Sequence, residues 1–181
     1  MKDQPGRIQF CTKPELTAVL SLGYFLIHVL ATVETEMKSM SPAERVQTFI
    51  NQMVVWEAGF HAEKKSDHYK HSTEYRCRAD ADAKARLIDI FSENLSAKSL
   101  NTLGAARLET LGTGRPPEYD QTVLMDTENR FGTGWTVETR KTKGINQRYQ
   151  YILNMESGTP KISGVNVWRN SAEKWEHRNA I

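Results

Sequence analysis

The sequence has few cysteines and no excess of charge of either sign. Its two cysteines, Cys11 and Cys77, are too few and too far apart for a disulfide framework or a cysteine-based zinc site. The formal net charge is only +2 and no basic run stands out. Neither a nucleic-acid-binding surface nor a strongly acidic mimic of nucleic acid is therefore indicated. The cysteine usage favours a reducing compartment.

The sequence motifs of common catalytic centres are also missing. The chain has no phosphate-binding loop, no Ser/His/Asp or Cys/His arrangement and no recognised zinc spacing. His61, His68 and His71 lie close together, but the last two fall in the polar stretch SDHYKHSTEYR. We expect all three to be surface histidines, with a loop over that stretch, and we predict neither a metal nor a cofactor.

One apolar run stands out, TAVLSLGYFLIHVLAT at residues 17–32. It is shorter than the roughly 18 to 20 residues of a membrane-spanning helix. A signal peptide would suit the small residue Ala31, but the segment before the run is long and carries Glu15 beside Lys13. We expect a helix over residues 17–31 and a cytoplasmic protein. Export or membrane anchoring through this segment is the alternative.

The 181 residues suffice for one well-filled core but not for two comfortable domains. We therefore divide the chain into an N-terminal extension, residues 1–40, and one domain, residues 41–181. The domain opens with Ser41 and Glu44 in the spacing of a capping box, which predicts a helix over residues 42–65. A second helix is predicted over residues 80–95.

Apolar residues recur at helical spacing in both segments and predict the buried stripes. In the first helix these are Val46, Phe49, Ile50, Met53 and Phe60. In the second they are Leu87, Ile88, Phe91 and Leu95.

The second half of the chain predicts five strands. They are residues 103–111, residues 121–127, and the runs WTVETRK, QRYQYILNM and KISGVNVWR, with a turn at residues 129–134. In the fourth, one face is formed at period two by Tyr149, Tyr151, Leu153 and Met155. Strands that follow helices without βαβ alternation predict an α+β fold, in which the helices cover the aromatic face of the sheet.

The order of several motifs resembles a known family. The motifs are MVVWE, LIDIFSENL, ARLETLGTGRPPEYD, WTVETRK, RYQYILN, KISGV and a late KWE. The chain resembles, over roughly residues 41–181, the immunity proteins with a nuclear transport factor 2-like fold of bacterial polymorphic toxin systems. The apolar leader before Met37 departs from this pattern. The resemblance implies a cone-shaped fold, a strongly bent antiparallel sheet around helices, and the binding and neutralisation of a cognate toxin domain without any chemistry.

A protein that binds its partner tightly needs a few anchoring side chains, often aromatic or Arg. The candidate partner-binding residues are Arg115, Glu118, Tyr119, Asp120 and Trp175. Trp135 and Trp168 alternate with polar neighbours and are expected in the core, and Tyr119 and Asp120 could also simply close a turn. A homodimer is left open.

An enzyme is the second hypothesis, because folds of this type also house isomerases, dehydratases and cyclases in the mouth of the cone. Trp56, Glu57 and Glu138 are the candidate pocket residues, and Glu57, Tyr119 or Glu138 could supply a general acid or base. The simpler interpretation makes Trp56 part of the core rim and Glu57 a solvated carboxylate. A non-catalytic envelope or secretion component, which the leader would suit, is the third hypothesis.

Overall fold

A computed structural model describes residues 39–141 and 143–181, all within the compact unit Ser39–Ile181. The expected helix at residues 17–31, its possible role as a signal or anchor, and Cys11 lie outside the described residues. Among the residues described, no helix is both long and apolar enough to cross a lipid bilayer.

The first helix, α1, spans Pro42–Lys65, which confirms the predicted bounds. Its capping box is formed as expected, because the Glu44 amide donates to the Ser41 hydroxyl at 3.1 Å and the Ser41 amide donates to the Glu44 carboxylate at 2.7 Å. The predicted stripe is buried, and Trp56 is buried with it. Trp56 is therefore a core residue that donates its indole N–H to the Ala83 carbonyl at 2.9 Å, rather than rim packing.

The predicted loop after α1 is wrong, because the polar stretch is helical. Helix α2 spans Asp67–His71 and α3 spans Thr73–Asn94, so α3 begins seven residues before the predicted start. Ser66 and Ser72 cap them by accepting amide hydrogens at 3.1 Å. These caps form helices without the apolar periodicity on which the prediction depended.

The inner stripe of α3 is confirmed at Leu87, Phe91 and the following Leu95. Ile88 is 43% exposed, against the prediction. Successive residues of a helix point about 100° apart around its axis. Ile88 therefore points away from the core when only the narrow face that contains Leu87 is buried.

The predicted strand at residues 103–111 is wrong. This segment is helical: α4 spans Ala97–Ser99, a π-helical turn spans Leu100–Gly104, and α5 spans Ala105–Thr110. Its Ala, Leu, Arg and Glu residues are good helix formers, and Thr110 is the single β-branched residue in residues 103–111. A left-handed residue, Leu111 with φ 43°, ends α5.

Five antiparallel strands follow in the order β1-β2-β3-β4-β5. They span Gln121–Phe131, Gly134–Lys141, Gln147–Glu156, Thr159–Arg169 and Lys174–His177. The predicted turn at residues 129–134 is shorter than expected. The register shifts after Leu124, and β1 then continues to Phe131, which pairs with Gly134. The four-residue β5 was not predicted, since so short a strand has little alternation.

The helices pack on one face of this sheet, here called the inner face, as an α+β fold requires. Phe49 of α1 contacts Tyr151 of β3 and Phe91 of α3, with ring centroids 6.1 and 6.5 Å apart. The inner-face residues Tyr149, Tyr151 and Leu153 are buried as predicted, whereas Met155 is 49% exposed. Met155 lies beyond the irregularity in the β3–β4 pairing after Ile152, at the end of the strand.

Candidate functional site

A buried carboxylate of α1 holds the loop at residues 112–120. Glu57 is fully buried. Its Oε1 accepts the Gly114 amide at 2.7 Å, and its Oε2 accepts the amides of Glu118 at 2.8 Å and Tyr119 at 3.3 Å. The expectation of a solvated carboxylate is wrong. A buried charge persists only where donors replace the lost water, and three backbone N–H groups do this for Glu57.

The loop is held from a second direction through Glu118. The two oxygens of its half-buried carboxylate accept separate arginines, Arg107 at 3.2 Å and Arg178 at 2.8 Å. Arg107 belongs to α5 and Arg178 follows β5, so Glu118 ties the loop to a helix and to the C-terminal segment. In the described state these contacts are intramolecular, and the candidate Glu118 serves to fix the loop.

Tyr119 is in the core and not at a surface, since only 1% of it is exposed. Its ring meets Phe49 edge-on, with centroids 5.8 Å apart, and the Arg107 guanidinium lies 5.6 Å from its centroid. Burial raises the pKa of the Tyr119 hydroxyl well above its ordinary value near 10. The hydroxyl has no hydrogen-bond partner among the described residues. Tyr119 therefore anchors the loop to the core through the packing of its ring.

Asp120 and the turn after β2 hold the far end of the loop. An ion pair joins Asp120 Oδ2 and Lys143 Nζ at 2.8 Å. Gly144 has φ +82°, and a Cβ there would lie 3.0 Å from Pro116 Cγ, so the backbone of the turn approaches the loop closely. Loop and turn therefore form one packed unit.

Arg115 is exposed in this loop, as is the neighbouring Pro116. It donates from Nη1 to the Gly114 carbonyl at 2.8 Å, and Nη2 reaches the Ala58 carbonyl at 3.5 Å. Among the described residues it forms no ion pair. Its guanidinium is held by neutral acceptors and remains available to an external carboxylate.

Trp175 and Glu138 lie elsewhere, on the sheet face that the helices do not cover, here called the outer face. Trp175 of β5 lies opposite Trp168 of β4, with ring centroids 5.3 Å apart and planes at 70°. The guanidinium of Arg148 lies 5.3 Å from the Trp168 ring and 5.4 Å from the Trp175 ring. Arg148 Nη2 also donates to Glu138 Oε2 at 2.7 Å.

Sequence reasoning missed Arg148, which joins Trp168, Trp175 and Glu138 into one cluster. The alternation of β3 could have revealed it, because the face opposite Tyr149 and Tyr151 must carry the residues between them and before them. Trp168 and Trp135 are half-buried. Trp135 packs against the core as predicted, whereas Trp168 belongs to the outer face.

The three candidate pocket residues do not meet. Trp56 bonds to α3, Glu57 faces the loop, and Glu138 lies on the outer face with Arg148. At the level of Phe49, aromatic rings fill the space between helix and sheet in which a cone pocket was expected. A groove of about 860 Å³ runs between α1 and α3 instead, on the side away from the sheet.

The histidines are likewise separate. His61 is half-buried on α1, and His68 and His71 are exposed on α2. The described residues contain no group of three or more His, Cys, Asp and Glu side chains able to hold a metal ion.

Comparison of the chain with known protein families, with curated proteins and with solved structures found no match.

Proposed function

We propose that the chain is an immunity protein with a nuclear transport factor 2-like fold, which binds and neutralises a toxin domain encoded beside it. One observation carries this proposal: the loop at residues 112–120 is held in one conformation by the buried Glu57 carboxylate and exposes Arg115. This is the arrangement expected of a binding loop on a rigid scaffold.

The physical advantage of such a loop is preorganisation. A flexible loop loses conformational entropy when a partner binds, and this loss subtracts directly from the affinity. Here the loop is already ordered when the chain folds. Three hydrogen bonds from backbone N–H groups to Glu57 and two hydrogen bonds from arginine side chains to Glu118 hold it in place. Arginine is also among the residues that most often dominate binding energy. Tight neutralisation of a toxin needs a small entropy loss on binding, because nanomolar affinity corresponds to a binding free energy of about −12 kcal/mol.

The proposed cone shape is supported by the strand irregularities. Bulges interrupt the β1–β2 pairing after Leu124 and the β3–β4 pairing after Ile152. Bulges bend strands and increase their twist, as a sheet that wraps around helices requires.

We propose no catalytic role, because the two candidate carboxylates are already engaged and the Tyr119 hydroxyl, which has no hydrogen-bond partner among the described residues, is buried in the core. Glu57 accepts hydrogen bonds from three backbone amides, and Glu138 accepts one from Arg148. Each carboxylate would have to lose one of these hydrogen bonds in order to transfer a proton. The enzyme hypothesis would therefore have to use other residues.

We also propose that the protein acts in the cytoplasm, on the grounds that Glu15 lies close to the apolar run. Mass spectrometry of the native protein tests this. A mature chain that begins at Thr32 would mean export and would contradict it.

Co-expression tests the function. Cells that express the neighbouring toxin domain should survive only with this protein, and the two should co-purify. Arg115→Glu should weaken the complex by at least about tenfold, that is about 1.4 kcal/mol. Arg130→Glu, at an exposed arginine near the other end of β1, is the control for the charge change. Equal death with and without the protein, and no complex, would refute the proposal.

A further inference from the structure

We propose that the partner docks on the outer face of the sheet, beside the loop at residues 112–120, and presents acidic side chains to Arg140 and Arg148. This inference rests on the proposed function, because it names the chemistry of the same partner and extends its contact surface.

The first observation is a pair of like charges, of which only one has a carboxylate partner among the described residues. Arg140 of β2 and Arg148 of β3 are directly opposite each other in the antiparallel register, so both side chains lie on the outer face. Like charges in this relation destabilise a sheet. Arg148 has Glu138 as a partner at 2.7 Å, whereas Arg140 is exposed and has no carboxylate partner in the described part of the chain. One guanidinium is thus left uncompensated.

The second observation is the aromatic pair beside these arginines. Trp168 and Trp175 are both half-buried, and Arg148 lies within 5.4 Å of each ring centroid. The tryptophans also stabilise the short strand β5, which accounts for their contact with each other. That role does not require Arg140. Trp and Arg are both enriched in the buried centre of protein–protein interfaces. A partner could cover the exposed part of the two rings and accept hydrogen bonds from the guanidinium N–H groups.

The third observation is continuity with the loop. Thr122, two residues after the loop, is opposite Arg140, and the turn at residues 143–146 contacts the loop through Lys143 and Gly144. The tip of this turn carries Ile145, 80% exposed. A partner on the outer-face arginines would therefore lie next to this apolar tip and to the turn that packs against the loop.

Charge complementarity decides the class of partner. Glu138 lies beside Arg148, so a run of phosphates would meet a carboxylate there, whereas single acidic side chains can pair with Arg140 and with the free N–H donors of Arg148. The observations therefore favour an acidic protein surface over a nucleic acid.

The experiment uses two probes, the neighbouring toxin domain and a hexaglutamate peptide, with a ten-nucleotide oligothymidine as the competing class. Arg140→Glu is the test variant. Lys84→Glu, at an exposed lysine of α3, is the matched control with the same charge change. We expect Arg140→Glu to weaken toxin binding by at least about tenfold in calorimetry, and Lys84→Glu by less than about twofold. The peptide should quench tryptophan fluorescence in the wild type and in Lys84→Glu but not in Arg140→Glu. Thermal melting checks that both variants are folded.

The outcomes separate the two proposals. If the toxin domain binds the wild type and Arg140→Glu equally, the docking inference is overturned and the proposed function stands. If the toxin domain does not bind the wild type, the proposed function fails, and the peptide decides the docking inference. Loss of peptide quenching in Arg140→Glu supports it, and no quenching in the wild type overturns it. Stronger quenching by the oligonucleotide than by the peptide overturns the choice of an acidic protein.

Discussion

Burying the Glu57 carboxylate costs desolvation free energy, and its hydrogen bonds fix the loop at residues 112–120. A carboxylate without water is stable only when hydrogen bonds replace its hydration, and here all the donors come from one loop. The consequence is mutual dependence. The charge can remain buried only while the loop is in place, and the loop amides are satisfied only while the charge is present.

Glu57→Gln should lower the free energy of unfolding by about 2 to 4 kcal/mol, measured by urea denaturation. The amide retains one acceptor oxygen, but its NH₂ group faces a backbone N–H, so at least one buried donor loses its partner. Glu109→Gln, at an exposed glutamate of α5, is the control and should change stability by less than about 0.5 kcal/mol. Equal effects of the two substitutions would show that the loop does not depend on the Glu57 charge.

His61 provides a second test of this region through pH. Its Nε2 is shielded without a partner among the described residues, and its Nδ1 lies 3.4 Å from the Thr113 hydroxyl. Desolvation, followed by the positive charges of Arg115 and the lysines after the histidine, lowers the pKa of His61 in the folded protein. The unfolded chain therefore binds this proton more readily than the folded one.

The sign of the pH dependence follows from that difference. Because the folded pKa is below the unfolded value of about 6.5, this group removes stability as the pH falls below about 6.5. His61→Gln should therefore lose less stability than the wild type between about pH 7.5 and about pH 5 in urea unfolding. His71→Gln, at an exposed position on α2, should follow the wild type. A steeper loss in His61→Gln would contradict the assignment.

The elements that the sequence predicts well are those determined by neighbours in the chain. Ser41 and Glu44 specify the start of α1 because each bonds to the other. The strand predicted at residues 103–111 is wrong because the helix propensity of the Ala, Leu, Arg and Glu residues there favours a helix. Glu57 and Tyr119 were misplaced for another reason: they are 62 residues apart and become buried only when the loop reaches α1. No local pattern contains that contact.

The packing of α3 on the sheet gives a quantitative test. Phe91→Ala should cost about 3 to 5 kcal/mol of unfolding free energy, since the ring is fully buried against Phe49. Ile88→Ala, three residues earlier on the same helix, should cost less than about 1 kcal/mol because Ile88 is 43% exposed. Similar losses at the two positions, measured by urea denaturation, would contradict this packing.

In the described unit the buried core and the exposed arginines lie apart. Helices and aromatic rings cover the inner face of the sheet, whereas Arg140 and Arg148 lie on the outer face and Arg115 is exposed on the loop. The α+β order was predictable from the succession of helical and strand periods. The outer-face cluster was not, because Arg148, Trp168 and Trp175 meet only through the strand register.

Titration of the purified neighbouring toxin domain with this protein is the measurement on which the account depends. The toxin activity should fall linearly and vanish at about one molar equivalent, as expected for nanomolar affinity when the toxin concentration far exceeds the dissociation constant. Arg115→Glu should shift the curve to higher protein concentrations, and Arg130→Glu should not. Toxin activity that is unchanged at about ten equivalents of folded wild-type protein would contradict the proposed neutralising function.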